Sequence, residues 1–160
     1  MQLRPLNISD REAIKELLSA VHRFTQSETD VALELVGDAL GNSRSDYRFV
    51  IAEEEKNRVI GYACWGKVSV TDYTWDLYWI AVHPASQRQG VGSTLLHAVE
   101  ENIMFHQGKI LLIETSSTDA YRSARGFYER SGFYAEAEIR DYYRSGDNRV
   151  IYVKRLDQFH

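Results

Sequence analysis

The stretch that decides the fold is Ile80-Ala81-Val82-His83-Pro84-Ala85-Ser86-Gln87-Arg88-Gln89-Gly90-Val91-Gly92-Ser93-Thr94-Leu95-Leu96. It reads as an apolar strand that stops at a proline, a polar loop with two glycines, and an amphipathic helix. Small residues at a helix mouth let several backbone N–H groups converge, and the helix's unpaired first amides and dipole add positive potential there. Such a loop is suited to holding phosphate. A P-loop needs Gly-x4-Gly-Lys-Ser/Thr, and no lysine follows Gly90 or Gly92. A dinucleotide fingerprint needs a third glycine where Leu95 stands, and an acidic residue beyond the next strand. Neither pattern fits.

Upstream of this stretch, Leu3 to Leu6 reads as a first strand and Ser9-Asp10-Arg11-Glu12 as a capping box, followed by Ile14, Leu17, Leu18 and Val21 at helical spacing. A second helix is expected from Ser27, with Leu33, Val36 and Leu40 inward and Glu28, Asp30, Glu34 and Asp38 as a solvated acidic side. Tyr47 to Glu53 and Val59 to Val70 read as a hairpin. Thr74 to Val82 is the strand entering the loop, with Asp76, Tyr78, Ile80 and Val82 on one face and Trp75, Leu77, Trp79 and Ala81 on the other. A carboxylate on so apolar a strand is costly unless it faces a wet cleft, which singles out Asp76.

Downstream, Val91, Leu95, Leu96, Val99 and Ile103 form the buried stripe of a helix ending near Gly108. Lys109 to Thr115 reads as a buried strand with Glu114 near its end, and Tyr121, Ala124, Phe127 and Tyr128 recur at helical spacing before a left-handed stop at Ser131-Gly132. Phe133 to Tyr143 alternates through Phe133, Ala135, Ala137 and Ile139, Ser145 to Asn148 turns the chain, and Arg149 to Leu156 is the last strand. The order β-α-α-β-β-β-α-β-α-β-β reads as an α/β sheet of about seven strands, with about four helices on its two faces.

At 160 residues, with 44% apolar and 26% charged residues, the chain is expected to be one globular domain, residues 1–160. A formal charge of -4 argues against nucleic acid as a partner. The single cysteine, Cys64, excludes an internal disulfide framework and reads as a small core residue. The five histidines lack ligand spacing, so no metal is expected, and His83 before a proline reads as a turn residue. No run of 18 apolar residues occurs, so the expectation is a soluble, cytoplasmic protein with no membrane partner.

What does fit the loop is Gln/Arg-x-x-Gly-x-Gly/Ala, here Gln87-Arg88-Gln89-Gly90-Val91-Gly92. This resembles the acetyl-CoA-binding motif of the GCN5-related N-acetyltransferases, the GNAT superfamily. A second family pattern, Asn-x-x-Ala-x-x-Phe/Leu-Tyr-Glu-x-x-Gly-Phe, is matched at Ala124, Phe127, Tyr128, Glu129, Gly132 and Phe133, with Tyr121 where many members have Asn. The resemblance spans residues 47 to 156, with the first two helices matching in position only. The order of elements is also that of the GNAT fold, which implies a mixed central sheet flanked by helices on both faces.

The resemblance implies acetyl transfer from acetyl-CoA directly to an amine. Backbone amides of Arg88 to Ser93 would bind the pyrophosphate, Ile80, Ala81 and Val82 would pair with the pantetheine arm, and Tyr121, Ala124 and Phe127 would line that arm. Tyr128 resembles the family's general acid for the departing thiolate. For the base, Asp76 sits at the offset used by the histone-acetyltransferase branch and Glu114 at that of the branch acetylating ribosomal-protein N-termini. Water is a third route, and carboxylates also cap or pair with Arg. The acceptor cleft falls to the first two helices and to Arg140-Asp141-Tyr142-Tyr143-Arg144, with a small molecule or amino acid ranked before a peptide N-terminus. A non-catalytic acyl-CoA-binding module is the reading from another class. Homodimers are common in the family.

Overall fold

The computed structural model describes residues 1–156. Over them run β1 (Gln2–Arg4), α1 (Asp10–Val21), α2 (Gln26–Gly41), β2 (Arg48–Glu54), β3 (Arg58–Lys67), β4 (Thr74–Val82), α3 (Val91–Phe105), β5 (Ile110–Ser116), α4 (Arg122–Arg130), β6 (Tyr134–Arg144) and β7 (Asp147–Arg155). The sheet order is β1-β2-β3-β4-β5-β7-β6. β4 and β5 pair in parallel, whereas β1 with β2, β2 with β3, β5 with β7 and β6 with β7 are antiparallel. This is the predicted mixed seven-stranded α/β sheet. The described residues divide into two compact units, 1–66 with 77–102, and 67–76 with 103–156.

In the first unit the core gathers Ile14, Leu17 and Leu18 of α1, Leu33 and Val36 of α2, and Ile51, Tyr62, Cys64 and Ala81 of the strands. Neighbouring residues of β3 face opposite ways. Tyr62 joins the α1 and α2 side, while a Cβ on Gly61 would stand 3.1 Å from Leu95 and 3.2 Å from Val91 of α3. Helices therefore cover both faces here, and Gly61 is what lets α3 approach so closely. Cys64 is fully buried, and burial pushes its thiol far up. It is the core residue its surroundings in the sequence indicate, not a nucleophile.

Several boundaries differ from the sequence reading for local reasons. β1 stops at Arg4 because Pro5 has no N–H for the ladder. Ser9 makes no side-chain cap, so the predicted capping box is not formed. The start of α1 is fixed instead by buried Asp10, which accepts two bonds of 2.8 Å from Arg4 and one of 2.8 Å from the Asn7 amide. Arg4 also reaches Glu53 of β2 at 2.6 Å. The true capping box lies at α2, where Thr25 and Glu28 satisfy each other's amides.

In the second unit a Cβ on Gly108 would clash with Ile103 and Trp75 at 2.3 and 2.5 Å, so only glycine closes that turn. α4 ends as predicted: Gly132 has φ 91 and the Phe133 amide bonds to the Tyr128 carbonyl at 3.1 Å. β6 is exposed along its whole length, because it is an edge strand. Of the alternating set Phe133, Ala135, Ala137 and Ile139, only Phe133 is buried, and register shifts interrupt the pairing on both sides of Ile139. The turn before β7 is tighter than its sequence indicates, since Arg144 already pairs with Asp147 around Gly146 at φ 80.

Candidate active site

β4 ends at Val82 because Pro84 follows, and the chain then turns through a short 3-10 segment, Pro84–Ser86. His83 shapes that turn: its Nδ1 accepts the Ala85 amide at 3.2 Å and its own amide bonds to the Ile60 carbonyl at 2.8 Å. Arg88 and Gly90 both have positive φ, 61 and 82. This reverses the chain into α3, where the Thr94 amide is bonded to the Gly90 carbonyl at 3.0 Å. The amides of Val91, Gly92 and Ser93 form the first turn, whose N–H groups have no acceptor within the helix.

The two glutamines of the motif brace the loop. Gln87 Nε2 donates to the Val82 carbonyl and Gln89 Nε2 to the Ala85 carbonyl, each at 3.1 Å. A Cβ on Gly90 would meet nothing within 4 Å, so open space lies in front of the backbone there. Ala81 and Val91 are buried, turning only their backbone to the loop, while Ile80 and Val82 are half-buried. The first unit thus brings together the predicted residues Ile80 to Val82 and Gln87 to Ser93. Their arrangement offers convergent backbone donors at a helix mouth, which suits a pyrophosphate. A separate cavity of about 330 Å³, lined by Arg4, Asn7, Asp10 and Glu53 among others, contains none of them.

The second unit holds the titratable groups. Asp76 on β4 lies opposite Leu112 on β5, and Glu114 is two residues further along the same face. Arg149 of β7 lies opposite Ser116 and forms an ion pair with Glu114. The Tyr142 ring lies over this guanidinium, 4.6 Å from its centre. Burial raises the pKa of Asp76 above the usual carboxylate range, and the charge of Arg149 partly opposes that rise.

Tyr128 lies on the other side of β5. Its ring packs against Tyr152, Phe133 and Phe127 at 5.9, 6.0 and 5.8 Å, and Tyr152 is the register partner of Ile113, whose face alternates with that of Glu114. α4 is tied to β5 by Arg125, which donates to the carbonyls of Ser116 and Thr118 at 2.7 and 2.8 Å. Tyr152 donates to Glu129 at 2.9 Å, and burial followed by that bond pushes its phenol up to about 12. Ala124 is buried and Phe127 half-buried on α4. Tyr121 is not on this helix: it ends a 3-10 turn, Asp119–Tyr121, just before it. The second unit therefore gathers Asp76 with Glu114 and Tyr128 with Ala124 and Phe127, but on opposite faces of β5.

Over residues 45–135 the chain matches the acetyltransferase (GNAT) domain model, more than half of its length. The chain belongs to the GNAT family. It is an acyltransferase by that membership, and proteins it is similar to bear acetyltransferase names. It is 29% identical over 141 residues to the S-(2-succino)cysteine N-acetyltransferase of Bacillus subtilis (strain 168), covering 86% of this chain and 79% of that protein. A GNAT-family crystal structure from Desulfovibrio desulfuricans superposes with a TM-score of 0.91 at 38% identity, covering 97% of this chain and 98% of that one. A Salmonella typhimurium structure containing acetyl-CoA shares the fold at a TM-score of 0.74 and 23% identity, covering 100% and 96%.

Arg149 is the functional candidate that the sequence reading did not single out. Its signal is non-local: only the β5–β7 register brings a cation on the last strand beside Glu114. Among the described residues no cluster with metal-ligand character occurs and no helix is long and apolar enough to cross a membrane.

Proposed function

We propose that this GNAT protein transfers acetyl from acetyl-CoA directly to the primary amine of a small molecule or amino acid. The observation that carries the reading is the Gly90 loop, which turns backbone N–H donors to the mouth of α3 with free space before Gly90. The amides of Arg88 to Ser93 bind the pyrophosphate. The backbone of Ile80 to Val82 pairs with the pantetheine arm, and the Val82 amide polarises the thioester carbonyl. Tyr121, Ala124 and Phe127 line the arm.

An alkylammonium titrates near pH 10, so the acceptor must lose a proton before it attacks. Asp76 takes that proton, because burial makes it a stronger base than an ordinary carboxylate, whereas Glu114 is engaged by Arg149. The neutral nitrogen then attacks the thioester carbon from the Asp76 face, the C–S bond breaks, and Tyr128 protonates the thiolate from the opposite face of β5, past Leu112 where its pairing with β4 ends, leaving an amide and free CoA. A small acceptor is favoured because the Bacillus subtilis relative is named for an amino-acid substrate.

Tyr128→Phe tests the assignment. Turnover, followed as thiol release from acetyl-CoA, should fall by about a hundredfold or more while acetyl-CoA affinity stays unchanged. Unchanged turnover would remove Tyr128 from the mechanism.

A further inference from the structure

Arg149 is held as a ligand-binding arginine is held. Its guanidinium is ion-paired with Glu114, covered on one side by the Tyr142 ring at 4.6 Å, and near enough to Asp76 to oppose the effect of burial on that carboxyl. The ring occupies the flat side, so further hydrogen bonds lie in the guanidinium plane, the geometry that matches a carboxylate. Its Nε is buried and has no hydrogen-bond partner, an unmet donor in a cluster otherwise rich in acceptors. The Arg149 side chain retains 19% exposure and that of Glu114 41%, so the pair is open to competition from solvent and solutes.

The unmet donor says what completes the cluster. One cation and two carboxylates lie together, with no second cation among the contacts described, so the carboxylates are in surplus. A simple amine answers that surplus at Asp76 but leaves the Arg149 Nε donor without an acceptor. A zwitterion does both: its ammonium meets the surplus carboxylate, and its carboxylate brings the acceptor that Arg149 lacks.

We infer that Arg149 is a specificity-determining residue that recognises the acceptor's carboxylate, so that the acceptor class is α-amino acids and not simple amines. This rests on the acetyltransferase reading.

The test compares acceptors that differ only in the carboxylate: S-methyl-L-cysteine with S-methylcysteamine, L-methionine with 3-(methylthio)propylamine, and S-(2-succino)cysteine with S-(2-succino)cysteamine. Thiol release from acetyl-CoA is followed with wild type, Arg149→Gln and Arg149→Lys. The inference predicts that at least one amino acid exceeds its decarboxylated partner at least tenfold in kcat/KM. It further predicts that Arg149→Gln brings the ratio close to one, chiefly through KM for the amino acid, and that Arg149→Lys retains part of it. Equal rates within every pair in wild type, a comparison that does not depend on any variant folding, would overturn it, as would a ratio that Arg149→Gln leaves intact. Absence of thiol release with every compound would also overturn it; acetyl-CoA titration then decides separately whether the donor site, and with it the broader reading, survives.

Discussion

The Gly90 loop and the Asp76–Glu114–Arg149 cluster are built on opposite principles. The loop works through its backbone: its glutamines are spent on bracing, Ser86 and Val91 are buried, and the amides of the first turn of α3 have no acceptor within the helix. The cluster works through side chains delivered by three separate strands, and its charges are set by what surrounds them. A backbone site tolerates changes of side chain but not loss of shape. A side-chain site depends on each group and on pH.

The largest effect expected from this contrast is at Asp76. Asp76→Asn should lower kcat/KM by about a hundredfold. It should also erase an acidic limb of the wild-type rate profile that lies above the ordinary carboxylate range, because Asp76 accepts a proton only when ionised. A rate loss without a change in that limb would mean that Asp76 only shapes the site.

Stability gives a second reading of the same group. A carboxyl whose folded pKa is raised binds its proton more tightly in the folded state. Its ionisation therefore costs stability as pH rises from the ordinary carboxylate range through the raised value. Asp76→Asn should gain on wild type across that window and match it well below the window, as read by urea unfolding over a pH series. A gap independent of pH would place the effect in packing.

The smallest effect expected is at Gln89. Gln89→Ala removes one brace to the Ala85 carbonyl but no backbone amide of the proposed donor site. KM for acetyl-CoA should change by less than about threefold, the worth of one exposed hydrogen bond. A loss as large as that at Asp76 would erase the distinction between the two regions.

The same contrast explains what was legible in the sequence. Strand, proline, glycine loop and helix follow one another locally, so residues 80–96 announced the fold and the position of the glycine loop. Helical spacing likewise placed Tyr128, Ala124 and Phe127 on one short helix. Arg149 was invisible as a partner of Glu114 because they lie 35 positions apart in the chain, and the pairing depends on the register between β5 and β7. The capping box was misplaced because Ser9 and Thr25 carry equivalent local signals, each with a glutamate three residues on. At α1 the tertiary pairing of Arg4 with Asp10 fixes the helix start instead. β6 carries an alternating pattern that only its edge position leaves exposed.

The central claim is that backbone amides around Gly90 hold the acetyl donor. Isothermal titration of acetyl-CoA into wild type and into Gly90→Glu tests it most directly, because glutamate there adds negative charge at the proposed pyrophosphate site and strains a backbone at φ 82. Binding by wild type, weakened by about a hundredfold or more in the variant, about 2.7 kcal/mol, is the predicted result. No binding by wild type, in titration and in equilibrium dialysis alike, or equal affinity in the two proteins, would contradict it.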